Sequence, residues 1–175
     1  MNNIIVEPES PDTEELLSLV NEKGEVTGKA LRSTCHSDKK YLHPVVHLHV
    51  MNSKGEIYLQ KRPLNKKIQP GKWDTAVGGH IAFGEDILTS LQREAEEEIG
   101  IKDFTPEKAA EYIWESSVER EYIYSFKTVY DGQLKPNSTE LDGGRFWSRT
   151  EIENNLGEGV FTPNFEEEYK KIFLK

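Results

Sequence analysis

Apolar and polar positions alternate with period two across H-P-V-V-H-L-H-V-M, His43 to Met51, which predicts a β-strand. Asn52-Ser53-Lys54-Gly55 then reads as a turn and Glu56 to Lys61 as the returning partner, so a hairpin is expected here. Leu16 to Val20 and Val26 to Leu31 flank a turn at Glu22-Lys23-Gly24 and predict an earlier hairpin. Trp73 to Val77 predicts a strand leading into a glycine turn, and Ala110 to Val118 with Glu121 to Tyr130 a longer hairpin. Gly144 to Ser148 reads as a strand, Glu151 to Asn155 and Phe165 to Phe173 as helices.

The period changes once, behind a loop framed by Gly78-Gly79 and Gly84. Leu88, Leu91, Ala95 and Ile99 recur at helical spacing and Gly100 follows as a stop, so Glu85 to Ile99 should be one amphipathic helix. At about 100° per residue, Glu94 and Glu98 fall on the border of its apolar stripe and Glu97 one step further round, while Arg93 and Glu96 point more outward. Like carboxylates at these spacings repel, the more so when partly desolvated, and a divalent cation is a natural counter-charge. A solvated acidic face paired with Arg93 and lysines is the better reading of the three acids taken alone.

Strands, one central helix and a terminal helix define an α/β class, expected as an α/β/α sandwich around a mixed sheet. The 175 residues suit one domain, read as residues 15–175 behind a mobile acidic segment, 1–14. A net charge of −9, from 22 basic and 31 acidic residues, argues against nucleic-acid polymers and anionic membranes as partners and for a cytoplasmic protein. No targeting signal or apolar run of membrane-spanning length is read, and Cys35, the single cysteine, permits no internal disulfide. Trp73, Trp114, Trp147, Tyr122 and Tyr124 are expected in the core rather than on a ligand face.

Gly79, five residues, Glu85, seven residues, Arg93-Glu94, an aliphatic, any residue, Glu97-Glu98, any residue, Gly100 and Ile101 resembles the Nudix box at every fixed position. The resemblance implies the Nudix fold and a Mg²⁺- or Mn²⁺-dependent attack of water on a small-molecule diphosphate linked to a group X. It implies Glu94 and Glu98 as principal metal ligands with Glu97 in support, and the backbone carbonyl of Gly79 as a further ligand. Arg93 would orient the glutamates, and Glu85 would act as a structural acid near the site. The base varies between subfamilies, and homodimers are frequent in the family.

All five histidines, His36, His43, His47, His49 and His80, lie within residues 36–80. His43, His47 and His49 share one strand face by alternation, and His47 and His49 taken singly are best read as satisfied core or surface residues. His36, His43 and His80 fall where isopentenyl-diphosphate isomerase, a Nudix-fold enzyme, carries metal-binding histidines. Glu119 and Glu121 in V-E-R-E match its Glu-x-Glu pair, and Arg32, Arg62 and Lys66 match positions holding substrate diphosphate. A second metal site at His36, His43, His80, Glu119 and Glu121 is therefore an expectation.

Three departures point away from isomerisation. Gly78 stands where the isomerase has its catalytic cysteine, Asn164 stands where it has a tryptophan, and Glu94 completes a hydrolase set that the isomerase box lacks. The reading is a metal-dependent diphosphate hydrolase of the isomerase-like branch. The isomerase itself is the first alternative and a non-catalytic Nudix ligand sensor the second.

Overall fold

The computed structural model describes residues 15–174; the segment 1–14, expected to be mobile, lies outside the described residues. The strands are β1 (Leu16–Val20), β2 (Val26–Leu31), β3 (His43–Met51), β4 (Ile57–Lys61), β5 (Trp73–Thr75), β6 (Val77–His80), β7 (Glu107–Glu115), β8 (Arg120–Val129) and β9 (Gly144–Trp147). The helices are α1 (Arg32–Cys35), α2 (Ile87–Ile99), α3 (Arg149–Asn155) and α4 (Pro163–Phe173).

The central sheet runs β5-β4-β3-β8-β7, with β6 also on β3 and β9 also on β4. It is mixed, because β3 and β8 are parallel while β3 pairs antiparallel with β4 and β6. Alternation along β3 builds both layers. Val46, Leu48 and Val50 pack with Leu91, Ala95 and Ile99 of α2 on one face. On the other face Ile57 and Leu59 of β4 pack with Ile152 of α3 and with Phe165 and Tyr169 of α4. This is the expected α/β/α sandwich. The β1–β2 hairpin forms its own two-stranded sheet, and Val20 closes over Leu42 and Tyr122.

Helix α2 begins at Ile87, two residues later than expected, because the Asp86 side chain accepts from the Thr89 amide and serves as the N-cap. It ends at Gly100, whose φ of 71° terminates the helix in the left-handed conformation. Leu88, expected on the apolar stripe, is 56% exposed, and Ile87 packs on the core in its place. The Gly78-Gly79 pair is not a turn: both residues lie in β6, opposite His47 and Val46. Helix α1 was not anticipated. The aromatics split: Trp147 and Tyr122 are buried, whereas Trp73, Trp114 and Tyr124 are only half-buried.

Glu168 approaches His47 and His49 from an unanticipated direction and satisfies only the first: both ring nitrogens of the buried His49 lack a hydrogen-bond partner among the described residues. Glu168 of α4, fully buried, accepts from His47 Nδ1 at 2.9 Å, and His49 Nε2 lies 3.1 Å from the same oxygen. Burial alone would raise the Glu168 carboxyl, but the His47 and His49 charges hold it well below the usual carboxylate range.

Candidate active site

Two clusters of ionisable groups flank strand β6. On the α2 side, Arg93 does not point outward as expected but turns back as a fork. It donates to Glu85 at 2.9 Å, to Glu94 at 2.7 Å, to Glu97 at 3.4 Å and to the His80 carbonyl at 3.3 Å. Ser90 also donates to Glu85. Glu85 therefore anchors the fork rather than opening the helix.

Glu98 is 8% exposed. It accepts from the Gly78 amide at 3.0 Å and, weakly, from Gln60 Nε2 at 3.4 Å. Burial, reinforced by the Glu94 charge, pushes its carboxyl well above the usual range. Burial likewise raises Glu94 to about 7 against the opposing pull of Arg93. Glu97, at 56% side-chain exposure, is held by Arg93 alone among the described residues. Gly79 lies against Glu94 so closely that a Cβ there would overlap its carboxylate.

On the opposite side of β6, the expected second set converges. The ring centroids of His36, His43 and His80 are 4.9 to 5.6 Å apart, and ligand atoms of the three lie within 4.8 Å of one another. Those of His43, Glu119 and Glu121 do the same, so His43 joins the two triads. The glutamates of α2 are not drawn into so tight a set, because Arg93 reaches between them.

His43 Nδ1 donates to the Tyr41 carbonyl at 2.9 Å, which leaves Nε2 as the unprotonated nitrogen aimed into the cluster. That Nε2 and Glu119 Oε2 are both buried without a hydrogen-bond partner among the described residues; their 3.8 Å separation is too long for one. Burial lowers His43 and lowers His80 well below the ordinary imidazole range, while it raises Glu119 and lifts Glu121 to about 8. Neutral imidazoles beside uncompensated acids, with orphaned donor atoms, fit a divalent cation.

The expected phosphate-gripping cations fare differently. Arg32 sits beside the histidine cluster, where its charge depresses His43 and His80, and pairs loosely with Glu15 at 3.8 Å. Arg62 is spent locally, donating to the Ile68 carbonyl at 3.0 Å and facing Asp74 at 3.6 Å. Lys66 is exposed on the same loop. Gln60 and Glu168 were missed. Gln60 reads as an ordinary strand residue, and the trace of Glu168 in the sequence is an acid beside Phe165 and Tyr169 on the apolar stripe of α4.

A NUDIX domain profile matches residues 41–165. An uncharacterized Nudix hydrolase of Listeria monocytogenes is 32% identical over 149 residues, 84% of this chain and 88% of that protein. An isopentenyl-diphosphate Delta-isomerase of Streptomyces coelicolor is 27% identical over 156 residues, 86% of this chain and 79% of that protein. An uncharacterized Nudix hydrolase of Pseudomonas aeruginosa is 35% identical over 97 residues, and that match spans only 57% of its length. A Deinococcus radiodurans protein of known crystal structure superposes with a TM-score of 0.78 at 22% identity, covering 91% of this chain and 99% of that one. The chain belongs to the Nudix hydrolase family, in a branch similar to the isopentenyl-diphosphate isomerases. Among the described residues no helix is long and apolar enough to cross a membrane.

Proposed function

We propose that this protein is a Mg²⁺- or Mn²⁺-dependent hydrolase that cleaves the diphosphate linkage of a small-molecule substrate, of nucleoside diphosphate-X or isoprenoid diphosphate type. The observation that carries the reading is the pair Glu94, packed against Gly79, and Glu98, bonded to the Gly78 amide, with both carboxyls raised by burial. Arg93 only partly offsets the burial of Glu94, and Glu98 meets no basic side chain among the described residues, so the two need a cation to ionise together at neutral pH.

Glu94, Glu98 and the Gly79 carbonyl would hold the ion, with Glu97 at its exposed side. When bound, the ion neutralises charge on the phosphate oxygens and lowers the pKa of a coordinated water. The chain supplies position. Arg93, locked by Glu85, fixes the carboxylates of Glu94 and Glu97, and the Gly78 amide and Gln60 fix Glu98. Arg32 is the cation best situated to meet a phosphate oxygen. His36, His43, His80, Glu119 and Glu121 would hold a second divalent ion.

A second reading, isopentenyl-diphosphate isomerase, is favoured by that histidine–glutamate set and by the similarity to isomerases. Gly78 weighs against it, since it offers no side chain for proton transfer. The test is ³¹P NMR with Mg²⁺ or Mn²⁺ and a panel of CDP, ADP-ribose, nucleoside triphosphates and isopentenyl diphosphate, with metal content measured on the same protein. Anhydride cleavage is expected. An allylic proton shift without phosphate release would replace the hydrolase by the isomerase, and metal content that never exceeds one ion per chain would remove the second site.

A further inference from the structure

We propose that His47, oriented by Glu168, is a specificity-determining residue: its Nε2–H reads an oxygen acceptor on group X, and so selects a polar X over an isoprenoid chain. The inference rests on the hydrolase reading above and names the substrate class of that site.

The geometry starts from the sheet. Gly78 is paired with His47 across the β6–β3 ladder, and a Cβ built on Gly78 would lie 3.4 Å from His47 Cδ2 and 3.6 Å from Nε2. The Cδ2–Nε2 edge of the ring therefore borders the space that a side chain at position 78 would fill. Gly78 is exposed, so that space is open.

The other edge of the ring is fixed, since Nδ1 donates to Glu168 at 2.9 Å. His47 keeps 12% side-chain exposure, and its Nε2, unlike both ring nitrogens of His49, is not among the buried polar atoms without a partner. No described residue hydrogen-bonds it. A carboxylate on one imidazole nitrogen and an open donor on the other is an arrangement that aims a hydrogen bond at a ligand. Although burial opposes it, the Glu168 charge pushes the imidazole up to about 9, so the ring carries its proton on both nitrogens at neutral pH.

The neighbourhood has the same polarity. Asn164, at the N-terminal end of α4, donates to the Tyr112 hydroxyl at 2.9 Å. Seating a hydrocarbon chain over a charged imidazole would strip its water and give nothing back. An acceptor oxygen on X, from a base carbonyl or a sugar hydroxyl, replaces that water. A site built to donate discriminates strongly against a ligand that lacks the acceptor.

The test compares His47→Leu, His47→Gln, Gly78→Ala and the native protein on ADP-ribose and CDP against isopentenyl diphosphate, as kcat and KM. Gln carries an amide donor near the Nε2 position. Gly78→Ala leaves the Glu168 bond intact and places a methyl against the donor edge, which covers the case in which His47→Leu fails to fold. In His47→Leu, loss of the donor should raise KM for the polar substrates about 10- to 100-fold with kcat nearly unchanged, and Gly78→Ala should raise KM for the polar substrates and not for isopentenyl diphosphate. KM for isopentenyl diphosphate should stay level or fall, and His47→Gln should recover most of the polar-substrate affinity.

Equal losses on both substrate classes, or no change in either Leu or Ala variant, would overturn the assignment. If the native protein cleaves none of the panel, the hydrolase reading fails by itself, and the His47 assignment is judged by binding. The His47 Nε2 resonance in ¹⁵N NMR should then move with ADP-ribose or CDP and stay still with isopentenyl diphosphate; the reverse pattern, or no movement, sinks it.

Discussion

Replacing Glu168 by Gln tests how α4 is held to the sheet. Glu168 is fully buried and bonded to His47 at 2.9 Å, with His49 3.1 Å away, and Gln keeps the shape and an acceptor oxygen while removing the charge. A neutral His47 can still donate from Nδ1 to the amide oxygen, so the loss is the charge–charge part. Raising His47 from 6.5 to about 9 corresponds to about 3 kcal/mol, at 1.36 kcal/mol per pH unit. Glu121 and Asp74 also favour the protonated ring and remain in the variant, which brings the expected difference to about 2–3 kcal/mol.

The pH dependence follows from the signs. The folded imidazole is raised, so its contribution is fully present below 6.5 and is lost as pH climbs through about 9. Glu168 is depressed, so its contribution is present above the unfolded carboxyl value of 4.5 and is lost on acidification. The native protein should therefore exceed Glu168→Gln most between about pH 5 and 6.5, and the gap should shrink to under about 1 kcal/mol by pH 10. Urea unfolding followed by tryptophan fluorescence at pH 6 and pH 10 measures it. A difference of the same size at both pH values, or none at pH 6, would refute the ion-pair account.

Glu98→Gln should lower metal-dependent turnover by on the order of 10³-fold while leaving the metal-free melting temperature at pH 7 level or higher, because it removes a buried carboxyl that burial already disfavours; undiminished hydrolysis would remove Glu98 from the site, and Glu94→Gln should be similarly severe. Gly79→Ala should cost about 100-fold in turnover with the fold intact by circular dichroism, since its Cβ would displace the Glu94 carboxylate. Native activity in that variant would show that Glu94 need not sit against β6.

The sequence was most legible where one periodicity ran without interruption. Strand β3 has the expected bounds, His43–Met51, because a strand half of whose side chains face each packed layer must alternate. The same reasoning failed at Gly78-Gly79, where the turn propensity of glycine competes with a strand that needs glycine for another cause, the close approach of Glu94. The helix was found with its phase right at Leu91, Ala95 and Ile99 and wrong only in its first turn, where Ile87 takes the buried place expected of Leu88. The histidine–glutamate cluster was legible through resemblance alone: His36, His80 and Glu119 come from three separated segments, and no local pattern announces their meeting. Glu168 was out of reach for the same reason, standing 121 residues from its partner His47.

Strand β6 contributes to both clusters, Gly79 against Glu94 and His80 beside His36 and His43. The Gly78 amide, which in a wider sheet would bond the next strand, instead donates to Glu98, so the glutamate helix closes the edge that β6 leaves unpaired. One glycine opens each face: Gly79 admits Glu94 on the α2 side, and Gly78 leaves the His47 edge clear on the α4 side. On the proposed reading, a substrate would place its diphosphate near the acids and its remaining group over the imidazole, in the space beside the side-chain-free positions 78 and 79. A side chain at position 78 would divide that space. On that reading, the glycine whose absent side chain weighs against proton-transfer chemistry would be the same residue that makes room for a polar group X.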